Sequence, residues 1–171
     1  MPSGPCQCRE LHDTLVSRFP PNPFVQRLLA KAQELRISFE RSPVREQWLY
    51  HPGRRAILVW EPDLTSQSLT YLVVILAHEM GHAVDFDQNP ERRREVHGMH
   101  WLDVPDEVEI AAFVQGFLLL KELRIPISLD DYQKMIAEPI GAAVRREIQE
   151  NHLCCLLSSS RPAAAGGKAA C

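Results

Sequence analysis

The sequence has no long hydrophobic run. Its longest wholly apolar stretch, residues 72–77, is far short of the roughly 20 residues that a membrane-crossing helix needs. The opening MPSGPCQCRE has no apolar centre of the kind a secretory leader carries, so the expectation is a protein kept in the cytoplasm. Neither sign of charge dominates: a formal net charge of -3 gives no broad basic surface, and neither nucleic acid nor an anionic membrane is implied as a partner. Cysteine is missing from the middle of the chain. The five present, Cys6, Cys8, Cys154, Cys155 and Cys171, sit near the two ends in an odd number, which excludes a disulfide framework and reads as reduced thiols. Aromatic residues make up only 7%, yet 45% of the chain is apolar, enough at 171 residues for one sizeable core.

The pattern along the chain is mixed. Leu11, Leu15, Val16 and Phe19 recur at helical spacing before Pro20 and Pro21, and Asn22-Pro23 then starts a helix whose face is Phe24, Leu28, Leu29, Ala32 and Leu35. Alternation at residues 37–40 and two extended runs, EQWLY and RAILVW, follow. His51-Pro52-Gly53-Arg54 between those runs has the signature of a type II turn, so a small antiparallel sheet of about three strands is expected. After Glu61-Pro62, Thr65 or Ser66 can cap a long helix over residues 67–87, and residues 88–105 read as loop. Helix resumes over 106–123 and again after Ser128, which forms a capping box with Asp131, until Pro139 bends or restarts it. The fold class is therefore α+β. One domain is expected over residues 1–157, with its core at 24–124 and C-terminal helices at 128–157. Residues 158–171, rich in small residues, read as a disordered tail.

The chemistry concentrates in HEMGH at 78–82. On a helix His78 and His82 lie one turn apart on one side, near enough to share a metal ion, while Glu79 is displaced by about 100° and can flank that ion. Tyr71, Val74, Ile75 and Phe86 share the histidine side, so the helix is apolar nearly all round and is expected to be buried. Buried imidazoles and carboxylates cost several kcal/mol unless paired, and one zinc ion removes that cost.

A catalytic zinc takes three protein ligands. The extended pattern HExxHxxGxxH fails at Asp85 and Gln88, which leaves the acidic cluster DEVE at 106–109. Measured against Ile110, Phe113, Val114, Phe117 and Lys121, Glu107 points within about 60° of the inward direction and Glu109 about 100° away. Glu107 is thus the expected ligand and Glu109 the alternative. Asp106, also inward, suits capping or a hydrogen bond behind the ligands.

On these residues the chain resembles the gluzincin peptidases and, within them, the ImmA/IrrE family of compact zinc peptidases. HEMGH matches that family's active helix. Residues 107–114, EVEIAAFV, match a pattern like ExxANxFA in the glutamate and the phenylalanine, with Ile-Ala in place of Ala-Asn. The resemblance spans roughly residues 24–124. It implies a zincin-like domain whose sheet packs on the active helix, with His78, His82 and Glu107 as zinc ligands and Glu79 as general base. The expected activity is that of a zinc-dependent endopeptidase cutting a peptide or protein substrate through a metal-activated water. The alternative is a zinc-stabilised, non-catalytic binding or regulatory module with a gluzincin-like fold. Tyr71, His97 and His100 are candidates for stabilising the transition state, as are Tyr132 and His152. Asp85 is placed either to orient an imidazole or to pair with an arginine of the ERRRE run. If the strand over 55–60 lies at a sheet edge, it can pair with an extended substrate.

Overall fold

Asn22 starts the first regular element described. Its side chain accepts a hydrogen bond from the Phe24 amide (2.9 Å), and Pro23 occupies the first helical position, where a missing N–H costs nothing. The computed structural model describes residues 15–99 and 103–151. The five cysteines, His100, His152 and the stretch expected to be a tail lie outside them, as does most of the helix expected before Pro20, of which Leu15 and Val16 are helical.

Helix α1 (Pro23–Glu34) buries Val25, Leu28, Leu29 and Ala32. Strands β1 (Ser38–Arg41), β2 (Leu49–His51) and β3 (Ala56–Val59) follow, then helices α2 (Asp63–Ser66), α3 (Leu69–Gln88), α4 (Pro90–Glu95), α5 (Asp106–Glu122), α6 (Leu129–Gln133) and α7 (Ile140–Asn151). This bears out a mixed α+β chain. One buried apolar cluster runs from Leu15 to Ile148, and none of the described helices is long and apolar enough to cross a membrane.

The sheet differs from the expected antiparallel one. Its order is β1-β3-β2, with β2 antiparallel to β3 but β1 parallel to it, Ser38 opposite Ala56 and Arg41 opposite Val59. The chain lays β2 on the far side of β3 and returns between its two predecessors, a choice that alternation of side chains does not encode. All four residues of β3 are buried, as befits a central strand. The strand over 55–60 is therefore no edge for a substrate. The turn differs too: the left-handed residue is Arg55 (φ 51°) rather than Gly53. A type II turn would have placed it at Gly53. Arg55 is held there by its own side chain, which donates to the Leu35 carbonyl (2.9 Å) and bridges both oxygens of Asp87 (2.7 and 2.6 Å).

Helix α3 begins two residues later than expected. Thr65 and Ser66 belong to α2, and the cap is Ser68, whose hydroxyl accepts the Tyr71 amide (3.2 Å). Part of the expected 88–105 loop is helix α4. Ser128 caps α6 as expected, accepting the Asp131 amide (3.1 Å) and donating to the Asp131 carboxylate (2.7 Å), and the last helix restarts after Pro139.

Helices α3 and α5 pack antiparallel through glycines. A Cβ on Gly81 would overlap the Ala112 carbonyl oxygen, and one on Gly116 would sit 2.8 Å from the Ala77 carbonyl oxygen. Only residues without a Cβ at these two positions let the backbones come so close.

Candidate metal centre

Helix α3 presents its polar residues to the interior. His78, Glu79, His82 and Asp85 are 5%, 3%, 8% and 2% exposed, among Leu72, Val73, Leu76, Met80 and Phe86. The donor atoms of His78, Glu79 and His82 all lie within 4.8 Å of one another, so this buried group could hold a metal ion.

Glu109 completes the arrangement from across the helix pair. Its carboxylate oxygens lie 3.4 Å from His78 Nε2 and 3.5 Å from His82 Nε2, closer than Glu79, whose Oε1 is 3.9 Å from His78 Nε2. Glu107 and Asp106, by contrast, are exposed. Of the two acids, it is thus the alternative, Glu109, that faces the histidines, and the expected one, Glu107, that does not. The reason is the direction in which α5 packs: its buried side is Val108, Ala112, Val114, Gly116, Phe117, Leu119 and Leu120, and the side meeting α3 carries Ala112 and Gly116. Glu109 lies one turn before Ala112 and Phe113 on that side, whereas Glu107 is turned to solvent. A signal for this was present in the sequence. Ala112 and Gly116, three and seven positions after Glu109, are small residues at helical spacing and mark the side of close contact.

The donor set fits a divalent cation better than it fits hydrogen bonding. A charged hydrogen bond from imidazole to carboxylate closes to about 2.8 Å. Two ligands about 2.05 Å from one tetrahedral zinc are about 3.3 Å apart, near the separations found. The tautomers agree. His78 Nδ1 is buried and has no hydrogen-bond partner. If the proton sits on Nδ1, a buried donor is wasted and the Nε2 lone pair faces Glu109. If it sits on Nε2, a buried acceptor is left bare. A cation at Nε2 removes the clash, leaving only the Nδ1 proton unpaired.

The electrostatics separate the two acids. Burial, reinforced by the charge of Glu109, pushes Glu79 up to about 7 despite the opposing pull of His78 and the Tyr50 amide. Burial alone would also raise Glu109, but the two histidines that face it outweigh this and hold it below the ordinary carboxylate value. His82 is driven down to about 3 by burial and by His78 beside it, against the pull of Glu109. A neutral imidazole is the form that binds metal.

Flanking residues sort clearly. Phe113 stacks on the His78 ring (3.8 Å between centroids, 20° between planes) and fixes its plane. The backbone amide of Tyr50 on β2 donates to Glu79 Oε2 at 2.6 Å, a contact with no side-chain signature in the sequence. Asp85 takes the second of its two expected roles, pairing with Arg92 and accepting from Asn89 (3.0 Å), while its Oδ2 is buried without a partner. Tyr71 is half-buried, its phenol raised by burial and by the charges of Asp63, Glu79 and Glu46. His97 is exposed after α4, and Tyr132 is wholly buried, its hydroxyl donated to the Phe113 carbonyl (2.8 Å). Surface depressions of about 440 Å³ beside Asp130 and Arg145 and about 450 Å³ beside Asn89 and Arg92 do not include the histidines.

Comparisons with models of protein families, with curated proteins and with solved structures find no match to this chain.

Proposed function

We propose that the chain is a zinc-dependent peptidase in which His78, His82 and Glu109 hold one zinc ion and Glu79 is the general base. The observation that carries this reading is the convergence of one Glu109 carboxylate on both Nε2 atoms, with a second carboxylate beside them tied through one oxygen to the Tyr50 amide. A bound zinc would polarise a scissile carbonyl and acidify a water molecule. Glu79 Oε1, on the histidine side of its carboxylate, takes the proton from that water and passes it to the departing amine, acting as base and then as acid. Its raised affinity for protons in a buried setting suits a group that must both accept and release one near neutral pH. The ligand set is that of the gluzincins, which supports the resemblance carried by HEMGH, and a peptide or protein in the cytoplasm is the substrate this reading assigns.

A second reading, a zinc-stabilised binding module, is favoured by the burial of the histidine side chains, only 7% and 10% exposed. Glu79 separates the two, since a structural zinc needs no free carboxylate beside it. The test is a peptide-library cleavage assay with and without chelator. Wild type should cut and chelator should stop it. Glu79→Ala should bind zinc one to one and cut nothing; zinc binding without cleavage by the wild type would favour the binding module.

A further inference from the structure

Glu79 is held by a strand as well as by its own helix. Its Oε2 accepts the Tyr50 amide at 2.6 Å, and its Oε1 faces the imidazoles, 3.9 Å from His78 Nε2. Along β2 the amides alternate in direction. Leu49, Tyr50 and His51 stand opposite Leu58, Ile57 and Ala56, and since the Tyr50 amide is given to Glu79 on α3, alternation turns those of Leu49 and His51 towards β3. That amide has little freedom to move. The Tyr50 ring is 5% exposed and lies 6.1 Å from the Phe86 ring, and the Pro52 carbonyl two residues on is held by Arg93 (2.9 Å).

We propose that the backbone N–H of Tyr50 is a positioning group for Glu79, locking Oε2 so that Oε1 alone is presented to the metal centre. The proposal rests on the peptidase reading above. A carboxylate with two equivalent oxygens on a flexible side chain can rotate to become a fourth ligand, closing the position that water needs. An amide fixed by strand pairing ties down one oxygen, and the remaining one cannot swing onto the ion without breaking a short, buried, charge-assisted bond. The strand thereby keeps base and ligand distinct within a cluster whose donor atoms all lie within 4.8 Å. It also removes the Tyr50 amide from the outer edge of β2, so an extended substrate laid along that strand has to find its hydrogen bonds elsewhere.

Two measurements test this. In metal-free protein, amide hydrogen exchange should show the Tyr50 N–H protected, and Glu79→Ala should speed its exchange at least tenfold while Leu49 and His51 keep their protection. An unprotected Tyr50 amide, or one indifferent to Glu79→Ala, would overturn the proposal with no reference to activity. The second replaces Tyr50 by its α-hydroxy acid through nonsense suppression, deleting the N–H and keeping the ring. At unchanged zinc content and KM, kcat should fall about ten- to a hundredfold, the range for losing a hydrogen bond to a charged group. An unchanged kcat refutes the positioning role and leaves the peptidase reading standing. No hydrolysis by wild type refutes that reading and, with it, any effect of the amide on turnover. If the ester variant does not fold, the exchange measurement still decides.

Discussion

Replacing Gly81 by alanine sets two effects of opposite sign against each other. In the middle of a helix, alanine is favoured over glycine by about 1 kcal/mol, so propensity alone predicts a more stable protein. The added Cβ, however, would overlap the Ala112 carbonyl oxygen and stand 2.9 Å from both the Ala112 carbonyl carbon and the Gly116 nitrogen. These are all backbone atoms, and no side chain can turn aside to make room. Overpacking in cores costs about 1–3 kcal/mol, and a backbone-to-backbone clash belongs at the top of that range. The net expectation is destabilisation by about 2 kcal/mol, measured by urea unfolding of the metal-free protein. The metal centre reports the same strain separately. Glu109 is one turn from Ala112, so parting the helices withdraws it from both imidazoles, and zinc affinity in a chelator competition should fall about 10–100-fold, as for other disturbances of ligand support. If Gly81→Ala were as stable as wild type or more so, with its zinc affinity intact, the close contact between α3 and α5 would not be what sets the site.

Other expectations follow from single contacts. Glu109→Ala should abolish tight zinc binding, while Glu107→Ala, altering an exposed residue, should leave it unchanged; the reverse result in titrations would restore the ligand first expected from the sequence. Arg36 is exposed and left-handed (φ 57°) just after α1, so Arg36→Gly should stabilise the protein by about 1 kcal/mol in thermal melts; a loss of stability would show that its side chain does more than its position suggests. The Arg55 guanidinium holds the Asp87 carboxyl below its ordinary value of 3.8. Its contribution is therefore complete above that pH and lost as pH falls through the lower folded value. Asp87→Asn should accordingly match wild type in acid and be less stable at neutral pH, by about 0.5–1 kcal/mol because both side chains are partly exposed. A stability difference that persisted at the acid end would refute the ion pair as its cause.

Much of this is legible in the amino-acid sequence, and the reasons are local ones. Asn22-Pro23, Ser128 with Asp131 and the break at Pro139 are signals within a few residues, and each fell where a helix begins or restarts. The two histidines are spaced by one helical turn, so their common face follows from geometry alone. What failed depended on partners distant in sequence. Glu107 and Glu109 both lie on the first turn of α5, and only the face that α5 turns to α3 decides between them. That face is set by Gly81 and Gly116, residues that carry no hydrophobic signal. The parallel placement of β1 depends on which side of β3 receives β2, which short strands do not specify. The Tyr50 amide is a backbone group and leaves no trace in the side-chain pattern.

The roles of the two acids follow from what holds each of them. Glu109 reaches both imidazoles with different oxygens, its side chain is 28% exposed, and no described hydrogen bond from the backbone competes for it. It is free to adjust to an ion, and the histidines already favour its charged form. Glu79 is 3% exposed and has one oxygen committed to Tyr50; the other comes no nearer than 3.9 Å to His78. Exchanging the roles would require Glu79 to abandon a buried hydrogen bond and Glu109 to leave the position where both histidines stabilise it. Each move costs on the order of 1–3 kcal/mol, and nothing in the surroundings offsets either. Under the proposed peptidase reading, Glu109 as ligand and Glu79 as base is thus the arrangement of lower energy as well as the one that suits the chemistry.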